Sequence, residues 1–272
     1  DIGPVATAAC LGVPLQFAPE EQTVWHTPIL DHLLPQDPPV LGRANHWLEV
    51  VLSLAESTAT DAAGSYLVSL PDLSGPSDVL ARLRGTERLL MDMYDAPDAV
   101  VHATGFMVSV WQEIFSLLYN TILGSGAGVT TWLHAWSNTP YTVPTCDLSA
   151  MIGPQHFSRM CLPSLLAQAR RAGRCLFHLD GPRAAIHAEA LAAETAITAV
   201  QYTPGAGTPS ALAKLEMLRM LQAAGKPVMV FCPKEEVPIL IDRLDHRGLA
   251  LAPENLARPE EADALLELVT TW

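Results

Sequence analysis

The chain alternates short apolar runs with longer amphipathic segments, and this alternation predicts β-strands separated by α-helices. Short apolar runs are typical of buried strands, whereas apolar residues spaced three and four apart are typical of helices that bury one face. The expected strands occupy residues 65–70, 129–136, 175–177, 197–202, 227–232 and 248–252. The expected helices occupy residues 43–60, 76–84, 87–94, 97–121, 154–172, 184–193, 209–224, 235–245 and 259–269. Strands joined through helices imply right-handed crossovers and a parallel sheet.

A barrel accounts for this pattern better than an open nucleotide-binding sheet. The chain has no GxGxxG motif after a strand and no Walker A motif, and its glycine-rich run at 124–128 precedes a strand instead of following one. We therefore expect an α/β fold, a (β/α)8 TIM-type barrel, as a single domain over residues 1–272. Six strands are fewer than eight, and the deficit falls at the N-terminus, where the chain opens at Asp1 without an initiator Met. The first strand or strands of the barrel are thus expected to be missing from this chain.

Composition narrows the classes of partner. The chain has 272 residues, 49% of them hydrophobic, and a net charge of −13 without a Lys/Arg-rich run, which argues against nucleic-acid binding. Its five cysteines form no CxxC pair, which indicates free thiols in a reducing cytoplasm. The most apolar stretch, residues 105–129, contains Gln112 and Glu113, so we interpret it as a buried helix and not as a membrane span. No signal peptide is visible, and we expect a cytoplasmic protein.

The strongest candidate site lies where the run at 175–177 ends in His178 and Asp180, ahead of Gly181-Pro182. Residues two apart on a strand point the same way, so the imidazole and the carboxylate are presented together. Parallel α/β folds carry their active groups at the carboxyl ends of strands. The pair could be metal ligands, could bind a polar group of a substrate, or could form a structural hydrogen bond at the strand end.

Three further residues end the next two expected strands. Gln201 and Tyr202 close the strand at 197–202, and alternation means that only one of them faces the same mouth; Gln201 is preferred, for a substrate amide. Cys232 closes the strand at 227–232 and is either a thiolate or a small buried hydrophobe. We expect Gln201 and Cys232 to converge with the His-x-Asp pair on one cavity. Glu254, after the last strand, is a candidate oxygen ligand or a solvated loop carboxylate.

Residues after earlier strands complete the candidate set. Asp72 and Asp147 each follow a strand, although Asp also caps helices and stabilises turns, and both interpretations stay open. Trp132, His134 and Trp136 alternate and would share one face of a strand. If that face is inward they line a pocket for a flat or apolar ligand, and if it is outward they pack under a helix.

Several segments, in order, resemble the uroporphyrinogen decarboxylase superfamily, and more closely its corrinoid-linked methyltransferase-like branch. The resemblance runs from about Gly3 to the C-terminus. The similar segments are residues 3–12 (GPVATAACLG), 23–25 (TVW), 73–85 (LSGPSDVLARLRG), 91–97 (MDMYDAP), 147–157 (DLSAMIGPQHF), 162–163 (LP) and 178–181 (HLDG).

This resemblance implies a (β/α)8 barrel whose first strand lies upstream of Asp1 or is missing. It also implies a zinc site, because 178–181 takes the place of the His-x-Cys pair of the methyltransferases, with Asp180 in place of the thiolate. His178, Asp180 and Cys232 are the expected ligands, and a corrinoid presented by a partner protein is the second expected cofactor. The chain departs from the family in lacking a Cys after its last strand, which runs into Ala-Pro-Glu-Asn at 252–255, and in lacking an Arg-rich N-terminal motif.

The leading hypothesis is an enzyme that moves a methyl group between a small methylated substrate, or a thiol, and the corrinoid. The alternatives are a decarboxylase or lyase that holds carboxylates with Arg84 and Arg183, and a non-catalytic relative that binds a ligand or partner. Self-association into a homo-oligomer is left open. The expected catalytic residues are His178, Asp180 and Asp147, and the expected substrate-binding residues are Asp72, Trp136, Gln201 and Tyr202.

Overall fold

The computed structural model describes residues 2–21, 23–33, 41–42, 45–123, 128–205 and 210–270. Residues 43–44, 124–127 and 209, which belong to expected segments, lie outside that part of the chain. The structure divides into two compact units. Unit 1 comprises Asp1–Leu148 and Ile152–Cys175, and unit 2 comprises Ser149–Met151 and Leu176–Trp272.

Unit 1 is mostly helical, with short strands. Its helices are α1 Ala6–Cys10, α2 His46–Ala62, α3 Pro76–Arg84, α4 Thr86–Asp95, α5 Pro97–Leu123, α6 Pro154–His156 and α7 Leu162–Ala172. A π-helical turn, Phe157–Cys161, joins α6 to α7, and a 3-10 helix, Asp147–Met151, begins at the end of this unit. Its strands are β1 Leu15–Ala18, β2 Thr23–His26, β3 Ser69–Leu70, β4 Val129–Thr131 and β5 Trp136–Ser137.

Helix α5 forms the centre of this unit. It packs against α2, α3, α4 and α7, and it buries residues along a broad stripe from Val100 to Ile122. Trp111 is 1% exposed and stacks on Phe115 with ring centroids 4.7 Å apart. Burial of such a stripe is the main stabilising contribution that a helix of this apolarity makes.

The expected long strand at 129–136 is wrong. Strand β4 ends at Thr131, and a turn follows in which the amide of His134 donates to the carbonyl of Thr131 over 2.8 Å. His134 has a φ of 58°, a left-handed conformation that a continuous strand excludes. The chain then returns as β5, antiparallel to β4, so Trp132, His134 and Trp136 do not share one face of a strand.

Unit 2 has the repeating strand–helix order that the sequence predicts. Its elements are β6 Leu176–Asp180, α8 Gly181–Ala184, α9 Ala188–Ala193, β7 Ala199–Thr203, α10 Leu215–Ala223, β8 Val228–Pro233, α11 Val237–Arg243, β9 Leu249–Glu254 and α12 Pro259–Thr270. The four strands form one parallel sheet in the order β6-β7-β8-β9. Neighbours in sequence are therefore neighbours in the sheet, and the strand order does not reverse.

The structure thus has an α/β fold with a four-stranded parallel sheet. In the other described strands the only parallel ladder joins β3 to β4, and closure into an eight-stranded barrel is not a feature of the described residues. In the same residues, no helix is both long enough and apolar enough to cross a lipid bilayer. Within unit 2 the ammonium group of Lys226 is buried and donates to the carbonyls of Glu194 and Ile197 over 2.7 and 2.8 Å.

Candidate functional site

The parallel register of β6 and β7 brings the candidate residues of unit 2 together. His178 pairs with Gln201, and Asp180 pairs with Thr203. Paired residues of a parallel ladder point to the same side, and residues two apart on a strand do so as well. All four side chains therefore lie on one face of the sheet, whereas Tyr202 lies on the other face and is 1% exposed.

Hydrogen bonds fix the orientation of these side chains. The side-chain amide of Gln201 donates through Nε2 to Oγ1 of Thr203 over 2.7 Å, so its Oε1 is the atom that faces His178. Nδ1 of His178 forms a short hydrogen bond with this Oε1. An amide oxygen only accepts, so with the Gln201 amide in this orientation the bond places the proton on Nδ1, and the lone pair of the neutral ring is on Nε2. We call His178, Gln201 and Thr203 the strand-end relay.

Exposure increases from the strand-end relay toward Asp180 at the end of β6. Gln201 is completely buried, His178 is half-buried, and Asp180 at the end of β6 is exposed. Asp180 stands at the N-cap of α8 but accepts no capping hydrogen bond from that helix. A deeply buried amide therefore holds an imidazole that keeps access to solvent, with a carboxylate two residues further along the strand.

Tyr202 contributes packing to this part of the sheet. Burial, with a smaller contribution from the carboxylate of Asp180, raises the pKa of the Tyr202 hydroxyl to about 12. A neutral phenol on the buried face stabilises the sheet, and we assign it no contact with a ligand. Gln201, which the sequence preferred of the two, is on the face of His178.

Cys232 does not join this site. In the ladder, Met229 is the neighbour of Gln201, so Cys232, three residues further along β8, has the opposite parity and lies on the other face of the sheet. Burial, with the carboxylates of Glu236 and Glu254, raises the pKa of its thiol to about 12, so the sulfur stays protonated at neutral pH. A cysteine binds a metal through its thiolate, and burial on this face disfavours the charged sulfur.

The expected ligand set for zinc is therefore not assembled. The face that carries His178 and Asp180 lacks the third donor assigned to it, because Cys232 belongs to the opposite face. Across the described residues, no group of three or more His, Cys, Asp or Glu side chains is arranged to hold a metal ion. The residues present do not fit a zinc site of the expected kind, and the expectation that all four residues converge on one cavity is wrong for Cys232.

The candidates of unit 1 have other surroundings. Asp72 Oδ1 accepts a hydrogen bond from the amide of Ser74 over 2.7 Å, which is the turn-stabilising geometry that Asp commonly adopts. The side chain of Trp136 is 56% exposed at the edge strand β5. The turn accounts for Asp72 by a structural role, whereas the exposed Trp136 is not packed under a helix.

Asp147 lies beside a carboxyl group that the sequence pattern did not single out. Oδ2 of Asp78 accepts hydrogen bonds from the amide of Asp147 (3.0 Å) and the hydroxyl of Thr145 (2.9 Å), and Oδ1 accepts from the amide of Leu148 (3.1 Å). Asp78 is 3% exposed in the first turn of α3. The sequence signal that could have found Asp78 was an aspartate near the buried start of an expected helix.

Two thiols lie in the same region. The pKa of Cys161 is lowered, chiefly because the thiol of Cys146 hydrogen-bonds to it, with Ser77 acting in the same direction. Burial and the nearby charge of Asp78 oppose this shift. Both thiols are buried and neither belongs to a disulfide, so they form part of the packed interior around Asp78.

A scan against protein-family models finds no match, and a search among curated proteins finds none either. Among solved structures, the chain is similar to a methyltransferase from Methanosarcina mazei, with a TM-score of 0.59 and 13% sequence identity. The superposition covers 98% of this chain and 77% of that one. At this identity the likeness shows a shared fold.

Proposed function

We propose that the chain is a methyltransferase-like enzyme that moves a methyl group between a small methylated substrate, or a thiol, and a corrinoid held by a partner protein. The observation that carries the proposal is the strand-end relay, which holds the imidazole of His178 with its proton on Nδ1. The structural likeness to a methyltransferase agrees with this reaction class, and so does the resemblance of the ordered sequence segments.

The relay suits His178 to the role of general base. Thiols become strong nucleophiles only as thiolates, so a thiol acceptor needs a group that removes its proton. Nε2 of the neutral ring can accept that proton, and the bond from Nδ1 to Gln201 holds the ring while it does so. The carboxylate of Asp180 lies on the same face of the sheet, two residues further along β6.

The proposed step is the transfer of a methyl group from its carrier to a thiol. The S–H bond of the acceptor breaks and its proton passes to Nε2 of His178. The sulfur lone pair forms the new C–S bond, while the bond between the methyl group and its carrier breaks and leaves its electron pair on the carrier. The corrinoid, when its partner protein presents it, supplies or receives the methyl group; the residues of this chain bind the thiol and move its proton.

The decarboxylase alternative, which needs arginines to hold substrate carboxylates, gains no support from Arg84. Arg84 is buried, and its guanidinium binds the carboxylate of Asp92 over 2.7 and 3.2 Å and the carbonyl of Leu30 over 3.3 Å. A guanidinium engaged in this way does not hold a substrate carboxylate. Arg183, the other arginine of that alternative, is exposed in α8, close to Asp180 in the chain. One exposed guanidinium is not an observation that favours decarboxylation, so we do not advance a second function.

The test is demethylation of methylcobalamin by small thiols, followed by visible absorbance with the full chain. His178→Ala should lower the rate about 100-fold or more, since a positioned general base contributes at least that factor. His102→Ala, at an exposed position of α5, is the matched control and should leave the rate unchanged. A wild-type protein that is inactive with a panel of thiols, or a His178→Ala variant as active as wild type, would contradict the proposal.

A further inference from the structure

Asp78 is a buried carboxylate whose hydrogen bonds converge on one short segment. It accepts from three donors within residues 145–148: the hydroxyl of Thr145 and the backbone amides of Asp147 and Leu148. These donors lie 67 to 70 residues away in the chain. A carboxylate that accepts two or three such bonds fixes the backbone that donates them.

Thr145 joins this arrangement from both sides. Its hydroxyl donates to Asp78 and accepts a hydrogen bond from the amide of Gly75 over 2.9 Å. The backbone of Gly75 also lies directly against the backbone of Thr145, since a Cβ added at Gly75 would stand 1.8 Å from the Thr145 carbonyl oxygen. The start of α3 and the segment 145–148 are thus held together by backbone contact as well as by the carboxylate. We call this arrangement the loop latch.

We propose that Asp78 is a positioning residue that holds the segment 145–148 and thereby sets where the carboxyl group of Asp147 lies. The importance of Asp147 for the reaction rests on the proposed function together with the expectation from the sequence that Asp147 is catalytic; the loop latch itself rests on neither. The backbone amide of Asp147 donates to Asp78, so the backbone from which the Asp147 side chain extends is held in place. Catalytic groups depend on such support, because small displacements have large effects on rate.

The charges around Asp78 make the loop latch sensitive to pH. Burial, with the nearby carboxylate of Asp147, raises the pKa of Asp78 to about 6, while Arg82 and the two backbone amides oppose the shift. The thiol of Cys161 also faces Asp78; the charge of Asp78 acts against the net lowering of the Cys161 pKa. Protonation converts an accepting oxygen into a donor, so the hold on the three donors weakens as the pH falls through about 6.

The experiment follows the backbone amides of Asp147 and Leu148 by NMR between pH 4.5 and 8 (about two units either side of the expected midpoint) on the full chain without substrate. In wild type both amide resonances should titrate together with a midpoint near 6. Asp78→Asn should abolish that titration, and Asp98→Asn, at an exposed first-turn position of α5, should preserve it. Resonances that do not titrate in wild type, or that titrate equally in Asp78→Asn, would overturn the proposal.

Two further measurements keep the test decisive. If Asp78→Asn does not fold, Thr145→Val removes one of the three donors and should shift the titration of the remaining two amides; an unchanged midpoint would count against the loop latch. In the methylcobalamin assay, Asp78→Asn should lower kcat about tenfold with little change in KM for the thiol, and should remove the limb of the pH profile near 6. Wild-type protein that titrates as expected but transfers no methyl group would contradict the proposed function and leave the loop latch standing.

Discussion

The strand-end relay and the loop latch both place a polar group in the interior, but they do so by different means. In the relay, two residues 23 apart in the chain meet because neighbouring parallel strands are in register. In the latch, groups about 70 residues apart meet because the first turn of α3 lies against the segment 145–148. The relay ends in an imidazole that reaches solvent, and the latch ends in backbone amides. The first arrangement is suited to chemistry on a ligand, and the second to holding a segment in place.

The largest expected effect tests how tightly the latch is packed. Gly75→Ala places a methyl group against the Thr145 carbonyl, and backbone cannot move aside as a flexible side chain can. We expect the free energy of unfolding to fall by more than about 3 kcal/mol, measured by urea denaturation.

Gly153 is a matched control for that substitution. Like Gly75 it is an N-cap residue with φ of −81° that precedes a Pro, but a Cβ there meets nothing within 4 Å. Gly153→Ala should therefore change stability by less than about 1 kcal/mol. Equal losses in the two variants would show that the close approach at Gly75 has no energetic weight.

The second prediction concerns the charge in the latch. Because the pKa of Asp78 is raised to about 6 in the folded state, the folded chain binds more protons than the unfolded chain between about pH 4 and pH 6. This group therefore favours the folded state in acid, and its contribution is lost as the pH rises through 6. The loss is about 3 kcal/mol for a shift of this size.

Denaturation across pH isolates that contribution by comparing wild type with Asp78→Asn. The difference between their free energies of unfolding should move in favour of the variant by about 2 kcal/mol from pH 4 to pH 7, since part of the contribution is already lost at pH 4. A difference that is constant with pH would mean that Asp78 titrates as an ordinary carboxyl group.

The third prediction tests the relay by removing its buried amide. Gln201→Leu keeps the volume of a completely buried side chain and deletes the partner of Nδ1 of His178. We expect methyl transfer to slow by about 10- to 100-fold, the usual effect of removing the group that orients a reactive histidine.

Gln222→Leu controls for the loss of two side-chain hydrogen bonds in the same unit. The side chain of Gln222, on the outside of α10, forms its two hydrogen bonds with the backbone of Asp245. The activity of Gln222→Leu should match that of wild type. A Gln201→Leu variant with full activity would show that the ring of His178 needs no orientation.

The smallest effect is expected at Cys232. Its thiol is protonated, buried and on the face of the sheet opposite His178, so Cys232→Ala should leave activity unchanged and cost about 1 kcal/mol of stability. Zinc analysis of wild type and variant after growth with added zinc should give the same value, well below one per chain. A loss of activity or of bound zinc specific to Cys232→Ala would restore the thiol to the site.

The periodic features of unit 2 could be predicted from the sequence. The strand–helix alternation of residues 175–254 predicts β6 to β9 and their parallel order, and alternation within a strand predicts that His178 and Asp180 share a face. The same rule, applied to Cys232, required the register between strands, which the sequence does not contain. One residue of register decides which face a side chain occupies.

In unit 1 the periodic helices were predictable, but the short strands and loops were harder to predict because they follow no periodic pattern. The apolar run at 129–136 has the composition of a strand, but a left-handed His134 and hydrogen bonds between Thr131 and its neighbours turn the chain. Asp78 sits in a short helix whose first turn is buried, and only a distant loop reveals what it binds. Contacts at long sequence separation leave no local pattern.

Gln201 determines which ring nitrogen of His178 carries the proton, and ¹⁵N NMR of the histidine rings tests this most directly. At a pH where the ring is neutral, the account predicts that Nδ1 of His178 carries the proton and Nε2 does not. In Gln201→Leu this preference should weaken, while the spectra of His102 and the other rings stay the same. A His178 ring protonated on Nε2 in wild type would contradict this assignment, because its lone pair would then be on Nδ1, which faces Gln201, and Nε2 could not accept a proton from a thiol.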